Sequence, residues 1–110
     1  MPTPDDFHAI DMRVGTVLAA EPFPEARKPS IKLLIDFGPT IGEKRSSAQL
    51  TMHYTPDQLV GRQIVAAVNL GARRIAGFNS EVLVLGGMPT ETEVVLLALD
   101  QPVANGTRIG

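Results

Sequence analysis

The stretch KRSSAQLTMHYTPDQLVGRQIVAAVN, Lys44 to Asn69, sets the architecture, because it runs from a polar strand through a short helix into an apolar strand. Lys44 to Leu50 reads as a strand with Arg45, Ser47 and Gln49 along one face. Thr55-Pro56-Asp57-Gln58 has the form of a helix start: Thr at the N-cap, Pro at the first helical position, and Gln placed to bond back to the Thr N–H. Gly61 ends that helix early, and Gln63 to Asn69 continues as a strand through Ile64, Val65, Ala66, Ala67 and Val68.

Upstream, Met12, Val14, Thr16, Leu18 and Ala20 alternate with Asp11, Arg13, Gly15, Val17 and Ala19, which predicts a long first strand with a glycine where a barrel strand has to bend. A second strand follows, with Ile31, Leu33, Ile35 and Phe37 against Ser30, Lys32, Leu34 and Asp36, and the turn signals Gly38-Pro39 and Gly42 precede the third. Downstream, the loop Leu70 to Asn79 leads to a fifth strand over Glu81 to Leu85. Three strands, a short helix and two strands is the connectivity of an all-β, five-stranded oligonucleotide/oligosaccharide-binding (OB) barrel, with the helix plugging the barrel between strands three and four. An SH3-like barrel or a small sandwich is also compatible with this order, since order alone does not fix closure. Residues 1–110 form a single domain of this kind, and its size limits it to a thin core.

Two segments lie outside the five strands. Thr3-Pro4-Asp5-Asp6 carries a cap, a proline and an acid ahead of Phe7, Ala9 and Ile10, which predicts a short N-terminal helix with one apolar side. Val94 to Leu99 is apolar on both faces if extended. A small barrel covers one of those faces, and a second copy of the chain is the least demanding cover for the other, so residues 1–10 and 88–110 are expected to build a homodimer interface. The alternative is that the N-terminal helix folds over that face within one chain.

The net charge of −2 conceals a segregation. Arg27, Lys28, Lys32, Lys44, Arg45, Arg62, Arg73 and Arg74 face only Asp36, Glu43 and Asp57 within the middle of the chain, a formal +5, while two bases against nine acids leave the ends at −7. A positive patch on a negative body draws a polyanion to one place. The blander reading is a set of solvated charges.

Placed on an OB barrel, Lys32, Lys44 and Arg45 lie on strands two and three, Arg27 and Lys28 in the loop between strands one and two, and Arg73 and Arg74 in the loop between four and five. Those strands and loops border the groove in which OB barrels hold oligomers, with Ser47, Gln49, Asn69 and Ser80 as hydrogen-bonding partners. Adjacent Arg73 and Arg74 are expected to clamp phosphates together. With five aromatic residues in the chain, strong single-strand stacking is not expected, and a folded RNA read by backbone and shape fits better.

No catalytic constellation stands out, so a binding module is expected rather than an enzyme. His8 and His53 lack metal spacing, Ser46 and Ser47 lack a matching histidine and acid, and no glycine-rich phosphate loop or other cofactor motif is present. No apolar run is long enough to span a membrane. The acidic start of the chain does not read as a secretory signal, and the lack of cysteine makes the cytoplasm the default compartment.

The runs DMRVGTVLAAEPFPEARKPSIKLLIDFG (from Asp11), SSAQLT (from Ser46) and NLGARRIAGFNSEVLVLG (from Asn69) closely resemble the CsaA family of bacterial secretion-related chaperones. These are homodimeric relatives of the tRNA-binding domain appended to some methionyl- and phenylalanyl-tRNA synthetases. The resemblance extends from about Phe7 to Asn105 and implies an OB barrel with terminal elements that build a dimer. It further implies binding of unfolded or pre-secretory polypeptides and a retained or vestigial affinity for tRNA. Asn69, Arg73, Arg74 and Ser80 match one block of the wider tRNA-binding family, where Val82 and Leu83 replace its Gly-Met pair. Asp11, Arg13, Val14, Gly15 and Lys28 match another, where Arg27 stands in place of an acid.

Three functions are compatible with these features. A chaperone would hold extended polypeptide passively at apolar pockets near Leu50, Ile75 and Phe78. A dedicated tRNA-binding protein would use Lys28, Lys32, Lys44, Arg45, Arg73 and Arg74. A structural assembly subunit would use neither. Charge favours the second and the resemblance favours the first, so the expectation is a chaperone-like protein that also binds tRNA.

Overall fold

The computed structural model describes all residues from Met1 to Gly110. Its organising element is β1 (Met12–Pro22), which serves two ladders at once. Met12 to Thr16 pairs antiparallel with β4 (Gln63–Ala67), and Thr16 to Pro22 pairs antiparallel with β2 (Ile31–Asp36). The strand manages this because Gly15 has no side chain: a Cβ there would sit 2.6 Å from Ile35 Cγ2 and 2.8 Å from the Phe37 ring. A bulge between Val17 and Ala19 completes the change of direction. The bulge also corrects the expected strict alternation of β1. Val17 and Ala20, three residues apart on either side of it, both pack on the core, whereas Leu18 is exposed.

β3 (Glu43–Ala48) pairs with β2, after a single-turn helix α2 (Gly38–Ile41), and the main sheet runs β3-β2-β1-β4-β7. The sheet curls until its edges meet. Glu81 N–H donates to the Arg45 carbonyl at 2.8 Å, Ser46 Oγ donates to the Val82 carbonyl at 3.0 Å, and Ser47 N–H donates to Ser80 Oγ at 3.0 Å. The result is the expected nearly closed, five-stranded OB-type barrel. Its interior holds Val17, Ile31, Leu33, Ile35, Phe37, Leu50, Leu59, Ile64, Ala66 and Val82. Leu59 comes from α3 (Pro56–Leu59), the expected helix between the third and fourth barrel strands, where Thr55 N–H donates to Gln58 Oε1 at 3.0 Å.

The structure corrects three further expectations drawn from the sequence. The fifth barrel strand is only β7 (Leu83–Val84), because Glu81 and Val82 turn to seal the barrel against β3. The supposed loop before it is a β-hairpin, β5 (Arg73–Ile75) and β6 (Phe78–Ser80). The apolar segment from Val94 is a strand only to Leu96: β9 (Glu93–Leu96) pairs within the chain with β8 (Gly86–Thr90).

The C-terminal hairpin is held to the barrel by the Leu96 N–H on Tyr54 Oη at 3.0 Å and by His53 Nε2 against Glu93 Oε2 at 2.6 Å. Val94 and Leu96 pack on the core, while the opposite side leaves Leu97 49% and Leu99 39% exposed. Helix α1 (Pro4–Ala9), capped by Thr3 and Asp6 as expected, buries none of its residues. Residues 104–109 run back along the start of β1, through Val14 N–H to the Thr107 carbonyl at 2.9 Å and Gly106 N–H to the Val14 carbonyl at 2.8 Å. No helix is long and apolar enough to cross a membrane.

The tight approach at Gly15 makes Gly15→Ala a test of the bend. Neither Ile35 nor Phe37 can move without disturbing the core, so we expect a loss of roughly 1–3 kcal/mol. Urea unfolding should show a lower midpoint at an unchanged slope.

Candidate nucleic-acid interface

The hairpin β5–β6 turns through Ala76 and Gly77, both with positive φ, 46° and 81°. Such a two-residue connection matches the twist of the strands it joins, and it sends the hairpin out from the barrel as a narrow ribbon. Phe78, at the start of β6, meets Phe23 of the β1–β2 loop edge to face, with ring centroids 5.5 Å apart. Lys32 Nζ, projecting from β2, lies 4.6 Å from the centre of the Phe23 ring and 5.1 Å from that of Phe78. Glu21, its cross-strand neighbour, comes within 4.0 Å of the same ammonium.

Arg27 and Lys28 are exposed on the β1–β2 loop, and Arg73 and Arg74 are exposed on the hairpin. Arg45 is exposed on the outer face of β3, opposite Leu34. No carboxylate lies within 4.0 Å of the side-chain charge of any of these five, since the chain's ion pairs are Arg13–Asp11 and Lys32–Glu21, and Glu93 hydrogen-bonds His53. Five cations free of internal partners therefore stand on two projecting arms and the strand between them.

Other expected members of the site are placed differently. Lys44 stands opposite Ile35, in the phase of the barrel interior, and so does not share the face of Arg45. Asn69 spends both ends of its amide on the N-terminal segment: Oδ1 accepts from Asp11 N–H at 2.9 Å and Nδ2 donates to the Ala9 carbonyl at 2.9 Å. Ser80 is buried and its Oγ accepts from Ser47 N–H, so its role is in closing the barrel. Gln49 is half-buried just beyond β3. Leu50, expected beside Ile75 and Phe78 in an open apolar pocket, is 1% exposed in the core and faces no ligand. Ile75 and Phe78 are cross-strand partners and half-buried. Arg73 and Arg74, being successive strand residues, point to opposite faces of the ribbon and form no joint clamp.

The groove floor is also less basic than expected. A hollow of about 500 Å³ is lined by Ala19, Ala20, Leu33, Leu34 and Phe78 together with Glu21, Lys32, Glu43 and Arg45. An adjoining hollow of about 420 Å³ is lined by Leu34, Glu43, Arg45, Asn79 and Glu81. Three glutamates thus share the floor with two cations, and the uncompensated positive charge stands at the rim. Glu43 was within reach of sequence reasoning, since it lies two residues before Arg45 on a strand and must share its face. Glu81 and Phe23 carried no such signal, because their places depend on barrel closure and on the hairpin.

An OB barrel with a cationic rim around a partly apolar groove defines a small oligomer-binding module. Residues 12–108 match the family model described as a putative tRNA binding domain, and the chain belongs to that family. In structure it is similar to the CsaA chaperone of Bacillus anthracis str. Ames, with 54% identity, a TM-score of 0.95, and coverage of 100% of this chain and 99% of that one. It is likewise similar to the CsaA chaperone protein of Picrophilus torridus, at 45% identity, a TM-score of 0.91 and full coverage of both chains. Among curated proteins it is 36% identical to the methionine–tRNA ligase of Thermotoga maritima over 108 residues, 97% of this chain. That match spans only 16% of the ligase. The expected resemblance to the CsaA family is therefore borne out.

Ala76 holds a left-handed conformation that costs an L-residue roughly 1–2 kcal/mol and that glycine adopts freely. Gly in its place also costs roughly 0.4–1 kcal/mol through the unfolded chain, so Ala76→Gly should stabilise the hairpin by about 0.5–1 kcal/mol. Amide exchange at Phe78 to Ser80 should slow accordingly, and faster exchange would show that the turn is not strained.

Proposed function

We propose that this protein is a chaperone-like homodimer that holds unfolded or pre-secretory polypeptide in the groove and binds tRNA along its cationic rim. The observation that carries this reading is the division of the surface. The floor offers Ala19, Ala20, Leu34 and Phe78 with Glu21, Glu43 and Glu81 outnumbering Lys32 and Arg45, an environment better suited to a peptide than to a phosphate chain. Arg27, Lys28, Arg73 and Arg74 at the rim carry charges free of carboxylates and suit the backbone of a folded RNA. Similarity to CsaA chaperones supports the first activity, and membership of the tRNA-binding family supports the second. A dedicated tRNA-binding protein is the second reading, favoured by the five unpaired cations alone.

The two ligands separate by salt. Deleting one cation that neutralises a phosphate should lower the slope of log K against log salt by roughly 0.7–0.9, whereas apolar peptide binding releases no counterions. Replacing Arg73 and Arg74 together by Ala should weaken tRNA binding and flatten its salt dependence, with binding of an unfolded polypeptide unchanged. Titrations at low and high salt would show this, and an unchanged tRNA slope would remove both arginines from the interface.

The dimer is proposed to form through residues 1–10 and 88–110, where Phe7, Ile10, Met88, Val95, Leu97 and Leu99 leave apolar surface uncovered. Sedimentation equilibrium should give twice the 11.8 kDa chain mass. Leu97→Asp should give a monomer with the circular dichroism of the wild type, and a wild-type chain that is already monomeric would sink the proposal.

A further inference from the structure

Phe23 is 2% exposed, although it lies outside the ten-residue core cluster, in a loop beyond the end of β1. Around it stand the Phe78 ring and the Lys32 ammonium. It is thus part of a small satellite cluster formed where the β1–β2 loop meets the β5–β6 hairpin. No hydrogen bond joins that loop to that hairpin. The loop satisfies itself internally, through Phe23 N–H on the Ser30 carbonyl, Ala26 N–H on the Phe23 carbonyl and Ser30 Oγ on the Lys28 carbonyl. The hairpin is held by its own ladder and, at its Ser80 end, by Ser47 N–H of β3 on Ser80 Oγ. What spans the two arms is the sequence of groups Phe23, Lys32 and Phe78.

Lys32 is well placed to tie them. It sits on the inner strand β2, between Glu21 of β1 and Ser47 of β3, so its backbone is fixed from both sides. Its ammonium lies within cation–π range of both rings and beside Glu21. A lysine whose charge is engaged by two rings and a carboxylate differs from the four free cations of the rim. We propose that Lys32 is a positioning residue and not a phosphate ligand. It locks the β1–β2 loop to the hairpin, so that Arg27 and Lys28 on one arm and Arg73 and Arg74 on the other are held ready before RNA arrives. This rests on the rim being the tRNA site.

The lock and a phosphate contact leave different signatures. Opening the lock leaves the same cations to reach the same phosphates, so RNA binding weakens by the fraction of molecules with ordered arms, equally at every salt concentration. Removing a phosphate ligand changes the salt slope itself, by roughly 0.7–0.9. Lys32→Met keeps most of the apolar stem and removes the charge, whereas Lys32→Arg keeps a cation that stacks on aromatic rings.

The first measurement is amide exchange on the free protein. Lys32→Met should speed exchange across β5–β6 about fivefold, as expected when a partly exposed cation–π interaction is removed, with β1 and β4 amides unchanged. Lys32→Arg should stay near wild type. The second is tRNA titration over a range of salt. Lys32→Met should weaken binding about fivefold with a parallel salt line, and in a Phe78→Leu background it should cost little more. Hairpin exchange unchanged in Lys32→Met, or a slope lowered equally in both backgrounds, would overturn the lock. Should the wild type bind no tRNA, the functional reading fails, and the exchange measurement still decides whether Lys32 joins the arms.

Discussion

One strand serving two ladders is the constraint on which the barrel depends. β1 can pair with β4 along its first half and β2 along its second only if its backbone bends toward the core, and the missing side chain at Gly15 lets Ile35 and Phe37 occupy that space. From that bend follow the curl of the sheet, the meeting of β3 with residues 80–82, and the placing of the β1–β2 loop and the hairpin at one end of the groove. Barrel closure consumes polar groups that would otherwise be open to a ligand. Ser46, Ser80 and the backbone of Arg45 are all committed to it.

Charge is then distributed by position more than by amount. The floor between the arms mixes Glu21, Glu43 and Glu81 with Lys32 and Arg45, and the free guanidinium and ammonium groups are carried outward on the loop and the ribbon. Exposed surface cations cost little to leave unpaired, because water solvates them, and they keep their full attraction for a polyanion. An acidic chain can in this way present a basic edge.

The fold was legible because each of its main signals is local. Alternation marked β2, a continuous apolar run marked β4, Thr55-Pro56 and Gly61 bracketed the plugging helix, and their order matched that of the barrel. The failures share a cause in the third dimension. The bulge after Val17 shifts the phase of β1 without any residue that announces it, and the hairpin turn uses Ala76 where Asn or Gly would have been the signal. At the site, loop cations were legible from clustering alone. Asn69 and Ser80 were misread because their partners, Ala9, Asp11 and Ser47, are distant in sequence, and Leu50 was misread because burial beyond the end of a strand depends on closure.

The β5–β6 ribbon is only two strands wide, with Arg74 and Asn79 on one side and Arg73 on the other. A flat partner laid against it meets one guanidinium, whereas a partner with a furrow takes the ribbon between its walls and meets both. Curvature of the ligand thereby becomes a quantity the protein can sense, through nothing more than the pleat of three consecutive residues.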